Sequence, residues 1–137
     1  MKKILMSLIV ILFTSLYTYS NTYFINSGNF YYSPFNLTVN VGDTVVWLND
    51  GGYHNVNFNI SSTTGNSYNN PVSFITQPTL SSNIGRYVFD VPGTYLYDCS
   101  VGAHATNGMT GQIIVLPSNT LPSITLQPAI FPIFEFL

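Results

Sequence analysis

The chain has 137 residues, 46% of them apolar and 15% aromatic, which is enough for one packed domain with room for a leader or a tail. Charged residues make up only 6% and the formal net charge is −2. Three basic residues argue against nucleic acid, whose affinity comes from many cations neutralising phosphates, and a single Cys excludes an internal disulfide framework.

The N-terminus reads as a secretory leader. Lys2 and Lys3 form a positive segment, Ile4 to Phe13 an apolar run, and Thr18 and Ser20 the small residues before a cleavage point. The expectation is a cleaved signal peptide over residues 1–20 and a periplasmic or secreted mature chain. The apolar run is shorter than the roughly 20 residues that span a bilayer, so no membrane span is expected in the mature chain. Removing the leader takes both lysines, leaving Arg86 against Asp43, Asp50, Asp90, Asp98 and Glu135. It also leaves one Met (Met109) beside the one Cys (Cys99) and the two His (His54, His104).

Residues 21–116 read as an all-β domain. Short β-branched and aromatic runs alternate with Gly, Pro, Asn and Asp, the pattern of a sandwich or barrel. Eight strands are expected, near Tyr23–Asn26, Asn36–Val41, Thr44–Leu48, His54–Asn59, Val72–Ile75, Gly85–Val91, Thr94–Cys99 and Gly111–Leu116. Val41-Gly42-Asp43-Thr44 and Val91-Pro92-Gly93-Thr94 are tight reversals. Residues 61–83, rich in Ser, Thr and Asn, predict a long surface loop with one short edge segment. Trp47, Phe89 and the segments Phe30–Tyr32 and Tyr95–Tyr97 are expected in strands and core. Four prolines from Pro117 to Pro132 forbid a central strand or helix in residues 117–137, which read as a tail or linker.

The chemistry concentrates between Cys99 and Met109. One short loop offers a thiolate, the His104 imidazole and a thioether, and His54 arrives from a distant segment. Two His and one Cys with a weak axial Met is the ligand set of a blue-copper site, whereas structural zinc sites rarely use Met. Gly102 and Gly108 give the loop its freedom to fold around one ion.

Residues Tyr23 to Leu116 resemble the cupredoxins of the plastocyanin and pseudoazurin group. The resemblance is carried by Phe35–Asn49, His54-Asn55-Val56, Pro92–Tyr95 and Tyr97–Val115. It implies an eight-stranded Greek-key β-sandwich holding one copper ion at one end. His54, Cys99 and His104 would be equatorial ligands and Met109 the axial one. Asn55 would hydrogen-bond across to the Cys loop, with Ser100 as its partner, a contact that orients the ligands. Two features depart from plastocyanins: His104 lies five positions after Cys99, as in azurin-like loops, and Asp98 precedes Cys99 where plastocyanins carry an aromatic.

The implied function is one-electron transport by a monomer cycling Cu(I) and Cu(II), with redox protein partners docking near His104. The alternative is a copper-binding module of a larger exported protein, or a copper chaperone without carrier duty. A copper oxidase or nitrite reductase needs further His for a second centre. Both His are already committed here, so no enzymatic activity is expected.

Overall fold

A computed structural model describes residues 19–118. The expected leader falls outside these residues apart from Tyr19 and Ser20, and the tail falls outside them apart from Pro117 and Ser118.

The described chain is an all-β sandwich. In chain order its strands are β1 (Thr22–Gly28), β2 (Tyr31–Ser33), β3 (Asn36–Asn40), β4 (Thr44–Asn49), β5 (Asn83–Val88), β6 (Gly93–Asp98) and β7 (Thr110–Leu116). One sheet has the order β2-β1-β4-β5 and the other β3-β7-β6. Parallel pairs (β1 with β4, β3 with β7) sit beside antiparallel ones (β4 with β5, β6 with β7) because the chain crosses between sheets rather than running hairpin to hairpin.

Alternation sets which side chains face inward. Ile25 of β1 and Val45 and Trp47 of β4 meet Val39 of β3, Tyr95 and Tyr97 of β6, and Ile113 and Val115 of β7 in one buried cluster. Fully burying an aliphatic or aromatic side chain contributes about 1.5–3 kcal/mol, so this seam dominates the stability of the sandwich. Trp47 packs edge-on against Phe58 and Tyr97, with ring centroids 5.8 and 5.7 Å away. A Cβ at Gly111 would run into the Tyr97 ring, so that position must be glycine for β7 to lie against β6.

Seven strands form where eight were expected: the two expected between β4 and β5 do not form, and the short β2 is added. Residues 54–59 and 72–75 make only isolated bridges, His54 with Thr79 and Asn57 with both Ile75 and Asp98. The cause is local competition. The Asn57 side chain accepts from Asn59 N (3.0 Å) and donates to the Ile60 carbonyl, bonds that bend the chain away from a ladder. Residues 61–82 run as a long surface loop, as expected, but one tied to the sandwich: Val72 and Phe74 pack against the core and Phe58 N donates to the Phe74 carbonyl (2.9 Å). The short strand β2, which pairs with the end of β1, falls on the segment Phe30–Tyr32 that was expected in strands, although it was not counted among the eight. Tyr32 of β2 is buried as expected, but Phe30 is partly exposed in the β1–β2 turn with φ of 62°.

β4 and β6 run toward the same end of the sandwich. The segment after β4 carries His54 and the loop after β6 carries Cys99 and His104, so this end gathers the chemistry.

Candidate metal centre

The loop after β6 is closed by its own backbone. Cys99 N donates to the Met109 carbonyl (3.0 Å) and Met109 N donates to the His104 carbonyl (3.0 Å). Between them His104 N donates to Val101 O (3.0 Å), and Ala105–Asn107 form a single 3-10 turn ending at Gly108 with φ of 102°. That left-handed conformation is costly for any residue with a Cβ, which explains the glycine. Cys99 and Met109 are thereby held side by side at the start of β7, both fully buried.

His54 is fixed from two sides. Its backbone exchanges both hydrogen bonds with Thr79 (3.1 and 2.9 Å), and its ring Nε2 donates to the Gly51 carbonyl (3.0 Å). Gly52, at φ of 111°, lies so close that a Cβ there would come within 2.5 Å of Nε2. With Nε2 carrying the proton, the Nδ1 lone pair of His54 points inward.

Three ligand atoms converge there. His54 Nδ1 lies 3.2 Å from His104 Nδ1, Cys99 Sγ lies 3.4 Å from His104 Nδ1, and Cys99 Sγ lies 3.9 Å from His54 Nδ1. A point equidistant from the three corners of that triangle is about 2.0 Å from each, where metal–imidazole bonds run about 2.0–2.1 Å and metal–thiolate bonds about 2.3 Å. The triangle therefore has the dimensions of a three-coordinate metal plane. Two imidazole nitrogens and a thiol sulfur at these distances form a mixed donor set that fits a soft divalent or monovalent ion.

Burial grades the site. Cys99 is fully enclosed and His54 nearly so, while His104 reaches the surface. Burial pushes the Cys99 thiol up from its ordinary range; backbone hydrogen bonds from Asn55 and Val101 pull it back, and the charge of Asp98 adds to the rise. Burial, and then the charge of His54, hold the His104 imidazole below its ordinary value. The lowered imidazole leaves the His104 lone pair free for an ion at neutral pH, whereas the raised Cys99 thiol has to release its proton to an ion that binds there.

Asn55 and Ser100 meet beside this cluster. Asn55 Nδ2 donates to Ser100 Oγ (2.9 Å), and Ser100 N donates to Asn55 Oδ1 (2.8 Å), a two-way link from the His54 segment to the Cys99 loop. Sequence reasoning missed three neighbours. Phe30 meets the His104 ring edge-on, centroids 5.2 Å apart. The hydroxyl of Tyr32 donates to the Asn55 carbonyl. Asp98 is fully buried in a network with Asn57, Ser62 and Tyr68. For Asp98 a signal was available, since an acid inside a strand next to Cys99 needs partners. For Phe30 there was none.

Residues 20–116 match the family model of copper binding proteins, plastocyanin/azurin family. The chain belongs to the plastocyanin/azurin family. A plastocyanin of Synechococcus sp. (strain JA-2-3B'a(2-13)) is 35% identical to it over 123 residues, covering 82% of this chain and 89% of that relative. A plastocyanin of Scenedesmus fuscus is 30% identical over 91 residues, covering 66% of this chain and 91% of that relative. Among solved structures, a Cu(I) amicyanin variant overlays with a TM-score of 0.53 at 23% identity, covering 69% of this chain and 82% of its own; this is a likeness of fold. As a member of the plastocyanin/azurin family the chain takes copper as its cofactor, one ion per chain, and the triangle described above is of a size to receive it.

Proposed function

We propose that this protein is a type 1 copper electron carrier working outside the cytoplasm, with His54, Cys99 and His104 in the copper plane and Met109 as the axial ligand. The observation that carries this reading is the preset ligand triangle, closed on its buried side and open to solvent only at His104. Bound copper supplies the one-electron step, with thiolate and thioether suiting Cu(I) and imidazole suiting Cu(II).

The protein's part is to keep its ligands from moving. Gly51 O fixes the His54 tautomer, the Asn55–Ser100 link ties the two ligand segments together, and the Cys99–Met109 backbone pair clamps the loop. Ligands held this way reorganise little between oxidation states, which keeps the electron step fast. The burial of Met109 and its backbone bond with Cys99 support the axial assignment.

His104 is the port in this reading. Phe30 and the loop residues Val101 to Ala103 surround it with small or apolar surface, suited to the small, quickly released interfaces of redox partners. The carrier is a monomer released by cleavage after Ser20, with residues 117–137 as a tail or linker beyond the domain. Both histidines of the chain lie in one centre, so the reading includes no enzymatic reaction.

Stopped-flow mixing of the reduced, copper-loaded mature protein with an oxidised c-type cytochrome tests the reading. Rapid second-order electron exchange, slowed when Phe30 is replaced by Glu, is the expected result. Slow exchange together with transfer of the ion itself to an apo acceptor would show a delivery protein instead.

A further inference from the structure

Asp98 ends β6, directly before Cys99, and its side chain is fully buried. Oδ1 accepts from Asn57 Nδ2 (3.0 Å) and Ser62 Oγ (2.9 Å); Oδ2 accepts from Ser62 N (2.6 Å) and the Tyr68 hydroxyl (2.8 Å). An amide on one oxygen and a backbone N–H on the other can only donate, so each oxygen must present a lone pair. Four donors on two oxygens describe a carboxylate in its ionised form. No cation answers it. Among the described residues the one Lys or Arg is Arg86, exposed on β5 of the opposite sheet. The charge is held by dipoles alone, inside the protein, one residue from the thiolate.

Folding stability does not require a charge at this position. A neutral side chain in the same place would cost less to bury, since an ion loses far more hydration than an amide or hydroxyl does. The three segments that converge on Asp98 come from residues 57, 62 and 68, so the network is built across the long irregular stretch between β4 and β5. What it delivers is a fixed negative charge whose field reaches the metal plane through low-dielectric protein.

We infer that Asp98 is a positioning residue for the redox step, whose buried charge favours Cu(II) over Cu(I) and so lowers the reduction potential of the centre, with Asn57, Ser62 and Tyr68 setting how strongly it does so. The inference rests on the copper-carrier reading above. In the step concerned, one electron arrives from a reduced redox protein, Cu(II) becomes Cu(I), no bond forms or breaks, and Asp98 keeps its charge throughout. Adding an electron beside a fixed anion is disfavoured, which gives the sign.

The test is the midpoint potential of the copper-loaded mature protein, measured by mediated redox titration for wild type, Asp98→Asn and Tyr68→Phe. Asp98→Asn removes the charge and nearly keeps the shape. It is expected to shift the equilibrium toward Cu(I) by tenfold or more, a rise of about 59 mV or more for a one-electron couple. Tyr68→Phe keeps the charge but removes one donor that offsets it, and is expected to move the potential downward by a smaller amount. Opposite signs are the signature of charge, because mere loosening of the site would move both variants the same way. An unchanged or lowered potential in Asp98→Asn with its thiolate-to-copper band intact overturns the inference. So does a shift of both variants in one direction. Where Asp98→Asn fails to fold, Tyr68→Phe decides: a downward shift supports the inference and any other result overturns it. A wild-type protein without the thiolate band overturns the copper-carrier reading itself, which is a separate result.

Discussion

The two ends of the sandwich each bury a carboxylate, and they do so for different reasons. At the end away from the metal centre, Asp43 accepts two backbone N–H groups, from Asn21 (2.7 Å) and Asn40 (2.8 Å), while Gly42 N donates to Phe89 O (2.9 Å). That acid locks a turn and the entry of β1 with groups the fold had to satisfy anyway. At the metal end, Asp98 draws on three side-chain donors and one backbone N–H from a stretch without regular structure. One end is tied by backbone groups and the other mostly by side chains. The first kind of end confers stability alone, whereas the second also shapes the field around a reactive group.

Copper removal should separate the ends most strongly. A ligand at a thousand times its dissociation constant adds about 4 kcal/mol to folding stability. Chelating the metal is therefore expected to lower the unfolding free energy by about that much in wild type and equally in Asp43→Ala, but not in Cys99→Ser. Denaturant unfolding with and without copper measures all three. If Asp43→Ala abolished the copper increment, the two ends would be coupled and the comparison would fail.

Asp43→Ala itself leaves two partly buried N–H groups without their charged acceptor, at a cost of about 2 kcal/mol. The optical spectrum of its copper form should match wild type. Asn55→Ala, at the other end, breaks the two bonds with Ser100. It is expected to cost about 1–2 kcal/mol in stability and to weaken copper binding tenfold or more, read by competition with a chelator. Loss of stability without loss of affinity would mean that Asn55 serves the fold and not the ligands.

The smallest expected effect is alkaline. Burial, then the hydrogen bond to Asp98, raise Tyr68 from its ordinary value of 10.0 to about 12. A group with a raised folded value contributes its full stability below its unfolded value and loses it as pH climbs through the folded one. Between pH 10 and 12 the unfolded chain releases this proton first, so stability falls as pH rises. The slope should be shallower in Tyr68→Phe, as measured by thermal unfolding across that range.

How much could be read in advance follows the same division. The turn Val41-Gly42-Asp43-Thr44 and the strands on either side, β3 and β4, were legible because alternation and turn chemistry are local. So was the meeting of Cys99 and His104, close in sequence, with the distant His54, since the chain has only two His. The stretch between β4 and β5 was not legible. Its apolar runs around Val56–Phe58 and Val72–Phe74 pack into the core as strands would, but Asn57 turns its own backbone aside. Register decided by one side chain competing with a ladder leaves no periodic mark. The Asp98 network was hidden for a related reason, since its donors are ordinary Asn, Ser and Tyr residues until the fold brings them together. β2 spans Tyr31–Ser33 and is too short to show an alternation.

The central claim is that His54, Cys99 and His104 form one preset plane for a single copper ion. Titrating Cu(II) into the purified apo protein and recording the visible spectrum tests it most directly. The expected result is an intense thiolate-to-copper band that saturates at one ion per chain and is absent from Cys99→Ser. No band in wild type, or a band that survives in Cys99→Ser, would contradict it.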